Sequence, residues 1–149
     1  MVVEMLCIGV TMPEDVQFEV PRPIPGWTPS TPAVDVASFQ ELLTEHQAVA
    51  VHFWAPWNGH DPLLDRSIQE VAAEFAGRVQ FLSCNVDLAE NQPLCKRCKA
   101  LNVPLVAVFV QGQLRRPILG VIPPARLAQE LVARLSSDGA TRRWWQLWR

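Results

Sequence analysis

Apolar residues along this chain change their period several times, and the changes mark out elements. From Ala48 to Trp54 the run AVAVHFW is almost continuous, β-branched and aromatic, which predicts a buried strand. Leu64, Ile68, Val71, Ala72 and Phe75 then recur at intervals of three and four, the period of an amphipathic helix, with Gly77 placed to end it. VQFLSCNV, residues 79–86, predicts a second strand, and residues 92–101 a short helix leading into Asn102-Val103-Pro104. Residues 105–110 and 114–119 flank Gln111-Gly112-Gln113, a hairpin signal. Pro123 and Pro124 open a last helix carrying Leu127, Leu131, Val132 and Leu135. Ahead of these, Ser38 to Glu41 fits a capping box over a short face of Phe39, Leu42 and Leu43. Strand–helix alternation followed by a hairpin and a helix predicts the α/β class, a mixed sheet covered on both faces.

The two ends read differently. Pro13, Pro21, Pro23, Pro25, Pro29 and Pro32 crowd one stretch, and proline fixes φ and lacks an N–H, so an extended arm is expected there, with Trp27 as an anchor. At the other end SSDGATRRWWQLWR places Trp144, Trp145 and Trp148 beside Arg142, Arg143 and Arg149. On a helix Trp144, Leu147 and Trp148 would share a face. The chain therefore divides into a proline-rich extension (1–33), a domain (34–136) and a Trp/Arg-rich tail (137–149). For the tail, docking on the protein's own surface and partner binding are both open, with a membrane interface the lesser reading.

Composition narrows the function. At 49% hydrophobic and 19% charged the chain can bury a core, and a net charge of -2 gives no pointer to nucleic acid. No apolar run of about 18 residues suggests a membrane span, and MVVEMLCIGVTM lacks the basic start of a signal peptide. A cytoplasmic location is expected, with the four cysteines reduced unless they are catalytic or metal-bound.

The stretch FWAPWNGHDP, residues 53–62, carries the sharpest information. With Asn85-Val86-Asp87, Val103-Pro104, Gln111-Gly112-Gln113 and Gly120 in order behind it, the chain from about Val34 to Leu135 resembles thioredoxin. FWAPW is similar to that family's FWAxW lead-in, and its CGPC motif falls on Asn58, Gly59, His60 and Asp61. Val103-Pro104 falls on its cis-proline loop and Gly120 on the glycine after its last strand. The resemblance implies the thioredoxin fold, a central mixed sheet with helices on both faces. It also implies a groove for an extended peptide formed by the Trp57–Asp61 loop, Val103, Pro104 and Gly120. No cofactor is implied.

Disulfide exchange needs an attacking thiolate and a resolving thiol, and Asn58 and Asp61 supply neither. Asn58 suits a helix N-cap and Asp61 a first turn. The buried Asp that assists proton transfer in the family falls on His52, and a lysine near it on Ser83. His60 beside Asp61 has no visible nucleophile partner and reads as an exposed loop histidine, while His52 reads as a hydrogen-bonded core residue.

A CxxC does occur at Cys95-Lys96-Arg97-Cys98, late in its predicted helix. Lys96, Arg97 and Lys99 favour thiolates there, whereas a helix C-terminus disfavours them. Three readings stay open: one cysteine packed inward and the other incidental, a displaced redox pair, or half of a metal site. Cys84 reads as a small buried residue that completes no ligand set, and Cys7 is unassigned. The expectation is a thioredoxin-like domain with a degenerate site, a redox-inactive protein- or peptide-binding or chaperone-like module. The alternative is an oxidoreductase or redox sensor using Cys95 and Cys98; a third is a scaffold whose arm and tail act.

Overall fold

The computed structural model describes residues 19–147, with side chains described as far as Ser136. Helix α1 (Phe39–Glu45) leads into strand β1 (Ala48–Trp54), then α2 (Asp61–Ala72), β2 (Gln80–Asn85) and α3 (Gln92–Cys98). Strand β3 (Leu105–Val110), two short strands β4 (Gln113–Leu114) and β5 (Ile118–Leu119), and α4 (Pro124–Leu147) complete the order. β1 lies between β2, parallel to it, and β3, antiparallel to it, and both β4 and β5 pair with β3. The mixed sheet expected from the alternation of elements is present.

All seven residues of β1 are buried because the sheet is covered on both sides. Strand alternation divides them. Ala48 and Ala50 face α2 and α4, packing with Leu64, Ile68, Val71, Leu127 and Leu131. Val49, Val51 and Phe53 face α1 and α3, packing with Phe39, Leu43, Leu94 and Phe109. Phe39 meets Phe109 edge-on at 5.3 Å, with the Arg97 guanidinium over both rings at 5.9 and 5.4 Å.

Several boundaries differ from expectation for local reasons. Ser38 makes no capping hydrogen bond; its hydroxyl donates to the Asp35 carboxylate instead, so the capping box does not form. α2 ends at Ala72, and Phe75 is buried in the turns that follow, before Gly77. α3 ends at Cys98 because Lys99 adopts a left-handed conformation, φ 52°. The expected strand 114–119 is two pieces. Phe109 pairs with Leu114 and Val106 with Ile118, so three steps on β3 face four on its partner, a bulge that contains Pro117. Arg134 of α4 secures that bulge: its Nε donates to the Arg116 carbonyl at 2.6 Å and Nη2 to that of Pro117 at 3.2 Å. The last helix runs on to Leu147, into the stretch read as a separate tail. The side chains of Trp144, Trp145 and Trp148, and Cys7, lie outside the described residues.

Removing that guanidinium strands two carbonyls at the bulge. Arg134→Ala is expected to lower stability by about 1–3 kcal/mol in urea denaturation. An unchanged midpoint would show that the bulge holds without it.

Candidate functional site

Register brings three loops to one end of the sheet. Leu105 at the start of β3 lies opposite Phe53 near the end of β1 and opposite Leu119 at the end of β5. The loops after β1, before β3 and after β5 therefore converge. The Val103-Pro104 bond is cis, and the Gly120 N–H donates to the Pro104 carbonyl at 3.0 Å, joining two of the loops. Gly120 has φ 77°, which suits a residue without a Cβ. Apolar side chains stand open to water here: Trp57 is 61% exposed, Leu119 64% and Leu101, from the segment before the cis bond, 88%. The Trp57 indole is steered by donating its N–H to the Asp87 carboxylate at 3.2 Å.

Beneath the surface sits a polar cluster that the sequence pattern did not reveal. The Asp61 carboxylate is fully buried and accepts from three sides: His52 Nε2 at 2.8 Å, the Ala55 N–H at 3.1 Å and the Asn58 side-chain amide at 2.9 Å. His52, 1% exposed, reaches it from the α2 side of β1. Because Nε2 meets a carboxylate oxygen, that nitrogen carries the proton; Nδ1 is buried without a hydrogen-bond partner among the described residues. Asn58 Oδ1 accepts from the half-buried His60, from its N–H at 3.4 Å and its Nδ1 at 3.3 Å. His60 is therefore tied into the loop rather than free in solvent.

This cluster corrects the capping expectation. α2 starts at Asp61 with His60 as the N-cap residue, and Asn58 makes no side-chain cap. The Asn58 amide is committed to holding Asp61 and His60, and Asp61 points back into the domain. Adjacent His60 and Asp61 do not pair. The partner of Asp61 is nine residues away on β1. A signal was available: the resemblance put His52 and Asp61 on a buried carboxylate and the thiol it serves, two positions that must lie together.

The second candidate site is closed. Cys95 and Cys98 are both buried in the α1/α3 side of the core beside Cys84, and all three are free thiols. The reading with one incidental cysteine is thus corrected, since both point inward. Burial pushes the Cys98 thiol up to about 12 despite the opposing charge of Arg97, and also raises Cys84 and Cys95, the latter against a hydrogen bond from Cys84. Desolvation outweighs the basic residues flanking the pair. Among the described residues no group of three His, Cys, Asp or Glu side chains is placed to hold a metal ion.

Comparison with known proteins agrees with this architecture. The thioredoxin family model matches residues 30–133. The chain is 31% identical over 103 residues to thioredoxin of Synechocystis sp., covering 68% of this chain and 94% of that protein. It is 29% identical over 101 residues to the M-type chloroplastic thioredoxin of Brassica napus, covering 67% of this chain and spanning only 56% of that relative's length. Thioredoxin from Trypanosoma brucei brucei superposes with a TM-score of 0.61 at 23% identity, over 76% of this chain and 98% of that one, which establishes the fold alone. The chain belongs to the thioredoxin family. No helix among the described residues is long and apolar enough to cross a membrane.

Two outcomes are expected. His52→Leu leaves the buried Asp61 carboxylate without its imidazole, and stability should fall by about 3 kcal/mol, with the His52→Leu/Asp61→Leu double variant losing less than the sum of the singles. Additive losses would show that the two groups are not coupled. The raised thiols set the second. Folded Cys98 holds its proton to about pH 12, whereas an unperturbed thiol releases it near 9.0. The thiol contribution to stability is full below pH 9.0 and lost as pH rises toward 12. Melting temperature should fall through that window, and less steeply in Cys98→Ala; parallel curves would assign the loss to other groups.

Proposed function

We propose that this thioredoxin-family domain is redox-inactive and binds an extended segment of a protein client at the convergence of Trp57, Val103, Pro104 and Gly120. The observation that carries the reading is the Asp61 carboxylate. It occupies the helix start where a resolving thiol would act, it is out of water, and its three hydrogen bonds leave it no spare function. Asn58 offers no nucleophile, and its amide is engaged in the same cluster. The surface around this closed chemistry supports binding: open apolar side chains at Trp57, Leu101 and Leu119, next to the backbone of a cis-proline loop, suit main-chain pairing with shallow apolar contact. Residues 34–136 carry this module, and the Trp-rich end of the chain adds partner contact. The buried free thiols suit a reducing compartment such as the cytoplasm.

The competing reading, an oxidoreductase using Cys95 and Cys98, requires accessible and acidic thiols. Both properties run the wrong way here. Insulin reduction by the full chain with dithiothreitol should match the buffer blank. Peptide mapping after brief native alkylation should leave Cys84, Cys95 and Cys98 unmodified. Turnover that disappears in Cys95→Ser/Cys98→Ser would overturn the binding-only reading.

A further inference from the structure

The proline-rich arm lies on the candidate site. Its inner end completes the sheet edge: the Ser83 N–H donates to the Pro32 carbonyl at 2.8 Å and the Val34 N–H to the Ser83 carbonyl at 2.7 Å, beside the parallel bridge of Ala33 with Ser83. Further out, Ser30 donates from its N–H to both oxygens of the buried Asp65 on α2, at 3.1 and 3.2 Å, and from its hydroxyl at 3.0 Å. Trp27 then meets Trp54 edge-on at 5.5 Å. Beyond it the backbone of Pro21 and Arg22 passes directly over Gly59. A Cβ built on Gly59 would stand 2.0 Å from the Pro21 carbonyl oxygen and 2.7 Å from the Arg22 carbonyl carbon.

That contact explains the glycine. The φ of Gly59 is not in the left-handed region, so its backbone conformation does not demand glycine. What requires it is the approach of a second stretch of main chain. The same contact explains why Gly59 is buried while Trp57, two residues away in the loop, is open.

We propose that residues 21–34 are an intramolecular strap that shuts the Gly59 side of the client-binding end, so that full access to it requires the strap to lift. This rests on the reading of that end as a binding surface. The strap is built to lift without the domain unfolding. Its prolines leave few N–H groups that lose a partner on release. Arg22, Pro23, Ile24 and Pro25 are exposed and contribute little burial. A cleft of about 410 Å³ remains under it, lined by Thr28, Thr31, Trp54, Asn85, Leu88 and Asn91. A segment held by a few discrete anchors over an imperfectly packed floor belongs to the low-stability end of a structure. The occupant is the same chemical kind of object the groove would take from a client, an extended chain presenting backbone carbonyls.

Hydrogen exchange on the full chain tests the strap by itself. The Trp27 and Ser30 amides, which donate to the Ile24 carbonyl and the Asp65 carboxylate, should be protected in the wild type. In Gly59→Ala the exchange of both should rise about tenfold, and in Trp27→Ala/Ser30→Pro, where position 30 has no amide, that of residue 27 should, while β1 and β3 keep their protection. If Gly59→Ala also loosens β1, the Trp27/Ser30 variant, which leaves the domain surface untouched, decides alone. Unprotected arm amides in the wild type, or rates unmoved by the Trp27/Ser30 variant, would overturn the strap. Gating is read by fluorescence anisotropy with labelled, reduced and carboxymethylated α-lactalbumin. Tighter binding by the Trp27→Ala/Ser30→Pro chain supports the gate, and equal binding by both forms overturns it. Increased exchange with no binding by either form leaves the strap standing as a cover, removes the gate and sinks the client-binding reading instead.

Discussion

A carboxylate taken out of water must recover its hydration from the protein, and Asp61 does so from three directions at once. The imidazole on β1, the first backbone N–H after β1 and the amide of the next loop all converge on it. Each partner belongs to a different part of the β1–α2 connection, so the burial of one side chain fixes where the strand ends, how the loop turns and where the helix begins. The start of α2 at Asp61 rather than at Asn58 follows. An amide already holding the carboxylate on one side and His60 on the other cannot also cap the helix. Losing the imidazole leaves buried Oδ1 without a partner, while Oδ2 is shared by the Ala55 N–H and the Asn58 amide, which couples the strand, the loop and the helix start.

The cysteines obey the same rule with the opposite outcome. A thiol loses little when buried, so Cys84, Cys95 and Cys98 pack as small apolar groups against Leu94 and Phe53. The cost falls on their thiolates. Arg97 lies close enough to oppose that cost at Cys98, and it loses. Its guanidinium is spent on the faces of Phe39 and Phe109 and on the Gln40 side chain. Basic residues next to a CxxC signal reactivity only where the sulfur can reach water.

Legibility followed the range of the interaction. β1, β2, β3 and the helices α2 and α4 were readable because period and β-branching report burial locally, as in AVAVHFW. That the loops after β1, before β3 and after β5 share one end of the sheet was expected only through the resemblance to thioredoxin, since they are distant in the sequence. The hairpin was half legible: Gly112 marked its turn, but the bulge at Pro117 depends on carbonyls that Arg134 satisfies from another helix. His60 read as an exposed loop histidine because its tie to Asn58 leaves no pattern, and His52–Asp61 was overlooked because contact across nine residues is not visible locally. The approach of Pro21 to Gly59 leaves no local trace at all, since a glycine wanted for space reads the same as one wanted for a turn.

Asp61 and Asp65 stand one turn apart on α2, both buried, and the difference in their partners separates what is rigid from what can move. Asp61 is satisfied by the domain itself, through His52, Ala55 and Asn58, and no water replaces those bonds while β1 and α2 stay packed. Asp65 is satisfied by Gln69 on its own helix and by Ser30 of the arm. In the proposed lifting, water takes the place of Ser30, so the free energy of opening excludes the penalty of a stranded buried carboxylate. Ser83 contributes in the same sense, because its N–H and C=O belong to an edge strand that becomes solvated on release. The domain thus has an inner carboxylate that holds the β1–α2 loop and an outer one that anchors the arm. In the proposed lifting the Asp61 cluster keeps all three of its bonds, and only what covers Gly59 changes.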